Sequence, residues 1–190
     1  GGSDCVKIMN GEWQELWAIK TGRMEPEDLS DNIAVQLGSV TEDFNLGWFE
    51  KRYKCVLSDH QREYEMMLGS VPAKGTIDAK WNDDIVEAKH TNAFNNMEDI
   101  VKRYLPQIQL YCHLADLDGA YLSVIFGNSK WEGTHVSYSA DYFNSMWAVV
   151  SDFWGYVLRK QEPVGNDQQV QLSIDQIKVD DMVRRDAATD

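Results

Sequence analysis

The stretch that most constrains the fold is residues 75–90, GTIDAKWNDDIVEAKH. Within it, a polar turn at residues 81–84 separates an apolar approach from a short β-branched run, and this pattern predicts two short strands joined by a tight turn. Side chains on a strand alternate between its two faces. The sequence therefore predicts that Glu87 and Lys89 share one face of the second strand, while Ala88 between them faces the opposite layer.

A carboxylate beside an ammonium, with another carboxylate nine residues upstream, fits a divalent-metal site that hydrolyses phosphodiesters. Asp78 and Glu87 would hold a hard, oxygen-seeking ion such as Mg²⁺ or Mn²⁺. Lys89 would orient water or offset the charge that grows on the phosphate. The alternative is a surface hairpin on which Glu87 and Lys89 form an exposed ion pair of little energetic value. Because such strings are common by chance, only partners elsewhere in the chain can decide between the two.

A long helical segment after Pro26 supplies one such partner. Its spacing predicts a helix that Ser30 or Asp31 caps. The apolar line of this helix consists of Ile33, Leu37, Val40 and Phe44. Gly38 and Gly47 lower helix stability, which indicates that something packs closely against them. Glu42 is either a solvated carboxylate of this helix or a third acidic group that reaches the metal site.

A second helix is predicted from Met97 to about Leu114, and Pro106 is expected to kink or restart it. Gln107 and Tyr111 are four residues apart and therefore share one face of the helix. They could form only a satisfied hydrogen bond in the core. If their face points at the metal site, Gln107 could instead hold the attacking water or the scissile phosphate.

The other periodic segments complete a small α/β (α+β) fold. They are a helix at 12–20, an apolar strand at 119–126, a partner strand at 131–138 and an aromatic-rich helix at 140–160. We expect a small mixed central β-sheet flanked by α-helices. Residues 1–160 are assigned to this domain, and residues 161–190 to a polar, acidic tail or an arm that docks on another subunit. The glycines before Ser3 either belong to an expression linker or form a turn before the first helix.

The formal net charge of −13 over 190 residues bears on the substrate. A protein that coats DNA over its whole surface should be basic, so this charge argues against non-specific nucleic-acid binding. It is compatible with a nuclease, because a bound metal ion and a few local lysines can make one cleft attractive to DNA. Lys74 and Lys80 are such local lysines. Three cysteines without CxxC spacing indicate buried thiols in a reducing compartment.

Six short motifs occur together in the chain. They are GGSD at 1–4, KTGRMEPEDLS at 20–30 after a Leu-Trp pair, GSVTE at 38–42, GTID at 75–78, VEAK at 86–89 and QIQLY at 107–111. In this combination the chain resembles the PD-(D/E)XK nuclease superfamily, and within it the YqaJ-type phage recombination exonucleases related to lambda exonuclease. The block after Tyr138 carries no part of the resemblance.

The resemblance implies a role for each matching residue. Asp78 and Glu87 resemble the metal-binding acids of the family. By the same resemblance, the backbone carbonyl of Ala88 adds a metal ligand and Glu42 completes the metal shell. Lys89 resembles the catalytic lysine, and Gln107 with Tyr111 resembles the QxxxY element. Ser3 would belong to the segment that contacts the DNA end. The arginine that binds the 5′-phosphate in the family would lie before Gly1, and Arg23 is a candidate substitute. The first acid follows Ile77 rather than proline, a common departure.

The resemblance also implies the activity and the assembly. We expect Mg²⁺- or Mn²⁺-dependent digestion of linear double-stranded DNA in the 5′-to-3′ direction, which leaves 3′ single-stranded tails for recombination. A homotrimeric ring around DNA, a single-strand annealing partner and a cytoplasmic location in a phage-infected bacterial cell are implied as well, with no membrane contact. Two alternatives stay open: an endonuclease of restriction or repair type with the same fold, and a non-catalytic acidic scaffold that mimics DNA.

Overall fold

The computed structural model describes residues 1–164, 168–180 and 183–186, the last of these as backbone only. Its helices are α1 (Gly2–Met9), α2 (Trp13–Lys20), α3 (Ile33–Tyr53), α4 (Met97–Ala115) and α5 (Ala140–Arg159). Its strands are β1 (Arg62–Leu68), β2 (Val71–Ile77), β3 (Ala79–Trp81), β4 (Asp84–Thr91), β5 (Gly119–Phe126), β6 (Lys130–Ser137) and β7 (Val183–Asp186). The predicted α/β (α+β) class is confirmed.

The central sheet has the strand order β3-β4-β5-β6-β7. Strands β4 and β5 are parallel and are connected through α4, while the other neighbouring pairs of this sheet are antiparallel. The predicted hairpin around residues 81–84 is therefore β3–β4, as the sequence indicated. A second hairpin, β1–β2, precedes it as a separate two-stranded sheet and was not predicted.

Helices cover both faces of the central sheet. Alternate residues of β5, among them Leu122 and Phe126, pack with α1, α2, α4 and α5 into the larger core. The intervening residues Tyr121 and Ile125 pack with α3 into a smaller core that includes Phe49. A strand that is buried on both faces reads as a continuous apolar run, which is the pattern predicted for residues 119–126.

Two expectations for α3 are wrong. The N-terminal cap is Asn32, whose side chain accepts hydrogen bonds from the backbone N–H groups of residues 34 and 35, and not Ser30 or Asp31. In addition, apart from the helix's own backbone, no atom of the described residues lies within 4 Å of the position that a Cβ on Gly38 or Gly47 would occupy. Gly38 lies in the N-terminal half of α3, which buries no residue, and Gly47 lies on the exposed face of the C-terminal half. The apolar line of α3 faces solvent, with Ile33, Val40 and Phe44 exposed by 73%, 77% and 63%.

The open surroundings of Gly47 give a stability prediction. Gly47→Ala should stabilise the protein by about 1 kcal/mol, because alanine loses less conformational entropy in a helix and meets no neighbour. The matched control is Gly75→Ala, whose added Cβ would overlap the ring of Tyr111 and should destabilise. Urea unfolding followed by circular dichroism measures both changes. A destabilised Gly47→Ala protein would contradict the open packing described for α3.

Helix α4 runs through Pro106 without interruption, so the expected restart does not occur. A proline inside a helix removes one hydrogen bond and costs roughly 3 kcal/mol. Leu105, Ile108 and Leu110 on either side of it are buried in the larger core. Their burial offsets this cost and keeps both halves of the helix, and therefore Gln107 and Tyr111, in one rigid element.

The segment after α5 packs against helices and strands of its own chain. Val170 donates a backbone hydrogen bond to Met9, and the backbones of Ser137 and Lys178 are hydrogen-bonded beside β6. Strand β7 then extends the sheet at β6. The division at residue 160 stays a prediction. None of the helices within the described ranges has the length and apolarity that a membrane span requires.

Candidate active site

Asp78 lies between β2 and β3, where the chain enters the central sheet. Its Oδ2 accepts a hydrogen bond of 2.8 Å from the backbone N–H of Ala88. Strand β3 pairs with β4 only as far as Val86, so the edge of β4 at Ala88 has no backbone partner from β3. The Asp78 carboxylate takes that place. Since N–H and C=O of one strand residue point to the same edge, the Ala88 carbonyl also faces this side.

Glu87 and Lys89 point from β4 toward α4, as the alternation predicted. The Glu87 side chain is 1% exposed, and its Oε2 accepts a hydrogen bond of 3.1 Å from the Lys89 ammonium. Helix α4 supplies two further contacts: the Tyr104 ring centroid lies 4.9 Å from Lys89 Nζ, and Gln107 Nε2 lies 3.4 Å from Glu87 Oε2. Glu87 is buried and Lys89 is only 19% exposed, which removes the alternative of an exposed ion pair on a surface hairpin.

Burial dominates the electrostatics of these groups. It raises the pKa of Glu87 to about 7, against the lowering effect of Lys89, and the charge on Asp78 acts in the same upward direction. Burial also raises the pKa of Asp78 above its ordinary value, although Lys89 and the Ala88 N–H oppose it. Burial alone would lower the pKa of Lys89, but the two carboxylates outweigh it and raise that pKa. Lys89 therefore stays charged, whereas burial disfavours the negative forms of both acids, and a bound cation would stabilise those forms.

Helix α3 brings Glu42 to the same place. An open cleft of about 940 Å³ is lined by Glu42, Asp78, Ala88 and Lys89, among others. Gln61, from the loop before β1, donates a hydrogen bond of 2.6 Å from its Nε2 to Glu42 Oε1. Burial and the neighbouring Asp78 charge raise the pKa of Glu42. Three of the residues predicted to hold a metal, Glu42, Asp78 and Ala88, therefore line one cleft, and Glu87 bonds to Lys89 without lining the cleft itself among the described residues.

A buried polar network fixes α3 against the sheet. Asn45 is 1% exposed and donates from Nδ2 to the backbone carbonyls of Lys89 and Ser123, at 3.1 and 2.8 Å. Its Oδ1 accepts from the Ser123 hydroxyl and from the Trp131 indole N–H, at 2.7 and 3.2 Å. Asn45 follows Glu42 by three residues on the helix. It therefore sets the position of Glu42 relative to β4.

The donor set fits a hard divalent cation. Glu87 Oε1 is buried and, within the described part of the chain, has no hydrogen-bond partner. The carboxylates of Asp78 and Glu87 and the Ala88 carbonyl offer oxygen ligands only. Across the described residues, no group of three or more His, Cys, Asp or Glu side chains is arranged to hold a metal ion. Mg²⁺ keeps several waters and usually takes one or two protein carboxylates, so the Asp78 and Glu87 carboxylates with the Ala88 carbonyl fit this ion.

Tyr111 lies beside this centre between two glycines. A Cβ on Gly2 would lie 2.7 Å from its ring, and a Cβ on Gly75 would overlap it. Gly2 is the first residue of α1, so the GGSD motif is part of a packed helix start and not a turn before a helix. Ser3 and Lys74 line a recess of about 460 Å³ that also includes Tyr111. The glycines are needed because two backbones approach one aromatic ring.

Two of the residues predicted to contact DNA lie elsewhere. The Arg23 guanidinium sits over the Trp17 indole, 4.5 Å from the ring centroid. Lys80 lies on β3, where its backbone is hydrogen-bonded to Ser58. In the described part of the chain, neither residue lines the cleft or the recess. The structure therefore groups Ser3 and Lys74 with Tyr111, and it does not bring Arg23 or Lys80 to that place.

Comparison with known protein families decides the relationship. The model of the YqaJ-like viral recombinase domain matches residues 1–118. The chain belongs to the YqaJ-like viral recombinase family. This confirms the family predicted from the sequence motifs. The matched residues include Glu42, Asp78, Lys89 and the QxxxY element but end before β5. No curated protein sequence matches this chain.

Solved structures share the fold of this YqaJ-like domain. An alkaline exonuclease (LHK-Exo) from Laribacter hongkongensis is 12% identical with a TM-score of 0.64, over 82% of this chain and 87% of that chain. The complex of LHK-Exo with dAMP gives 12% identity and a TM-score of 0.63, over 82% and 86%. SSO0001 is 14% identical with a TM-score of 0.57, over 81% of this chain and 73% of that chain. The likeness extends the shared fold beyond the family match.

Three residues that line or support the YqaJ-like cleft were missed by sequence reasoning. Gln61 lies in a polar stretch that carries no pattern. Asn45 lies on the buried face of α3 and not on the apolar line that the periodicity picks out, so no pattern pointed to it. Tyr104 precedes Gln107 by three residues, and this helical spacing was enough to place it on the same face.

Proposed function

We propose that this YqaJ-like domain is a metal-dependent deoxyribonuclease that digests linear double-stranded DNA from its ends, in the 5′-to-3′ direction, and leaves 3′ single-stranded tails. One observation carries the proposal. Among the described residues, Glu87 is a buried carboxylate with one oxygen that has no hydrogen-bond partner, and it pairs with the partly buried Lys89, which lines an open cleft together with Asp78. Such a costly arrangement of charges is typical of functional sites. Family membership and the alkaline exonuclease among the structural neighbours support DNA ends as the substrate.

Asp78, Glu87 and the Ala88 carbonyl hold Mg²⁺ or Mn²⁺, and Glu42 completes the shell from α3. When bound, the ion supplies an activated water and offsets negative charge on the phosphate. Lys89 keeps its proton, because two carboxylates raise its pKa. Its ammonium, held between Glu87 and the Tyr104 ring, donates hydrogen bonds to the attacking water or to the phosphate.

The QxxxY pair acts beside Lys89. Gln107 contacts Glu87 through its amide and interacts with the Tyr111 hydroxyl, so its orientation is fixed from two sides. It positions the attacking water or the scissile phosphate. Tyr111 has its pKa raised to about 12 by burial and by Glu87, and it therefore serves as a neutral hydrogen-bonding group and not as a base.

The proposed function also requires residues that contact DNA and an assembly that encloses it. Ser3 and Lys74 contact the DNA end at the recess beside Tyr111. Arg23 and Lys80 contact the DNA backbone at a distance from this recess. A homotrimeric ring would reconcile the net charge of −13 with DNA binding, because positive groups then line a channel while acidic groups face outward. A single-strand annealing protein is the partner that takes up the 3′ tails.

The test is digestion of a linear duplex that carries a 5′-phosphate, beside a closed circular duplex of the same sequence. We expect Mg²⁺ or Mn²⁺ to support release of nucleotides from the linear DNA only, with loss of a 5′ label before a 3′ label. A chelator should stop the reaction. Asp78→Ala, purified in the same way, should be inactive, and this control excludes a contaminating nuclease.

Each other outcome would indicate a different function or a different site for the reaction. Cleavage of circles would identify an endonuclease. Loss of the 3′ label first would reverse the polarity. Activity that persists in chelator or in Asp78→Ala would place the chemistry outside this cleft. Absence of both cleavage and metal binding in the wild type would favour the non-catalytic acidic scaffold.

A further inference from the structure

Gln61 occupies an unusual place in the loop before β1. Its backbone is in the left-handed region, with φ of 51°. Residues other than glycine, asparagine and aspartate rarely adopt this conformation. Its backbone N–H donates to the Asp78 carbonyl at 3.1 Å, and its Nε2 donates to Glu42 Oε1 at 2.6 Å. The same side chain lies close enough to the Asp78 carboxylate to lower the pKa of that group.

The chemistry of the side chain matches this position. A glutamine amide has two N–H donors on one nitrogen. Glu42 and Asp78 come from different elements, α3 and the β2–β3 junction, and two carboxylates at the mouth of one cleft repel each other. The Gln61 amide donates to Glu42 while the backbone N–H of the same residue donates to the Asp78 carbonyl, so Gln61 holds the two elements together without adding a charge. A lysine would do this as well, but it would compete with a cation for the same oxygens.

Stability does not explain the arrangement. The Gln61 side chain is exposed, and exposed polar contacts contribute little to folding. The left-handed backbone is an added cost, and strain of this kind is retained mainly at functional sites. Asp59 provides a contrast: it has the same φ of 51°, but its carboxylate pairs with Arg62 and contacts neither acid of the cleft.

We infer that Gln61 is a positioning residue that holds Glu42 and Asp78 at the spacing needed to bind one divalent cation between α3 and the β2–β3 junction. This inference rests on the proposed function. Outer contacts that orient metal ligands typically change metal affinity by 10- to 100-fold when they are removed. Gln61 acts in this way, so its loss lowers the affinity for the ion and leaves the fold intact.

The test is titration of the metal-free protein with Mn²⁺ by calorimetry, combined with thermal unfolding. Gln61→Ala deletes the amide but keeps the backbone strain, and we expect roughly 10-fold weaker Mn²⁺ binding at an unchanged Tm. Gln61→Gly should bind Mn²⁺ as weakly while its Tm rises by about 3 °C, because glycine tolerates the left-handed backbone. The matched control, Asp59→Gly, should keep wild-type affinity and show a smaller change in Tm, because aspartate already tolerates the left-handed backbone.

The outcomes separate this inference from the proposed function. If the wild type does not bind Mn²⁺, the metal site itself fails and the role of Gln61 falls with it. If the wild type binds and both Gln61 variants bind equally well, only the positioning role is overturned. Weaker binding together with a lower Tm in Gln61→Ala, or equal weakening in Asp59→Gly, would also overturn it, because the loop and not the amide would then be responsible.

Discussion

Lys89→Met should lower nuclease activity about 1000-fold, equivalent to about 4 kcal/mol of transition-state stabilisation, while the protein remains folded. Methionine retains most of the side-chain volume and removes only the ammonium. That ammonium donates a hydrogen bond to Glu87, and both carboxylates raise its pKa, so it carries a full charge over the working pH range. The rate of nucleotide release from linear duplex at saturating Mg²⁺ measures the change.

Lys102→Met is the matched control for this variant. Lys102 lies on α4, pairs with Glu98 on the surface and lines neither the cleft nor the recess among the described residues. Removing it changes the net charge by the same amount and should leave activity within about twofold, because exposed ion pairs contribute little. Lys89→Met activity close to that of the control would show that the ammonium takes no part in the reaction. Thermal unfolding of both variants checks that the fold is retained.

The hairpin that carries Glu87 and Lys89 could be predicted because its information is local. Strand alternation places those two side chains on one face irrespective of what packs above them, and the polar residues 81–84 are sufficient to specify the turn. The central strand β5 could be predicted equally well, since a strand that is covered on both faces has a continuous apolar sequence. Membership of the YqaJ-like family followed from motifs in the same local segments.

The features that were missed depend on contacts distant in the chain. The apolar periodicity of α3 correctly predicts a helix, but it cannot say that Ile33 and Val40 face solvent, because only the C-terminal half reaches the sheet. Nothing in the stretch around Gln61 predicts a bridge to an acid nineteen residues upstream. Likewise, the absence of neighbours at Gly47 and the crowding at Gly2 are decided by tertiary packing, although both are glycines in helices.

Asn45→Leu should destabilise the protein by about 4 kcal/mol. Leucine has a similar volume, but it leaves the carbonyls of Lys89 and Ser123 without their amide donor and removes one acceptor of the Trp131 N–H. Each buried polar group left unsatisfied costs about 1–3 kcal/mol, and the Ser123 hydroxyl can still accept from Trp131, which limits the total. Urea unfolding by tryptophan fluorescence measures the free energy of unfolding.

The control for this substitution is Asn144→Leu, at an exposed position of α5, which should change stability by no more than about 0.5 kcal/mol. A similar small effect at Asn45 would mean that the network does not fasten α3 to the sheet. A large effect has a consequence for the cleft as well. Because Glu42 lies one helical turn before Asn45, a shift of α3 moves Glu42 away from Asp78, and Mn²⁺ affinity should fall together with stability. A loss of stability without a change in Mn²⁺ affinity would show that Glu42 is not a ligand.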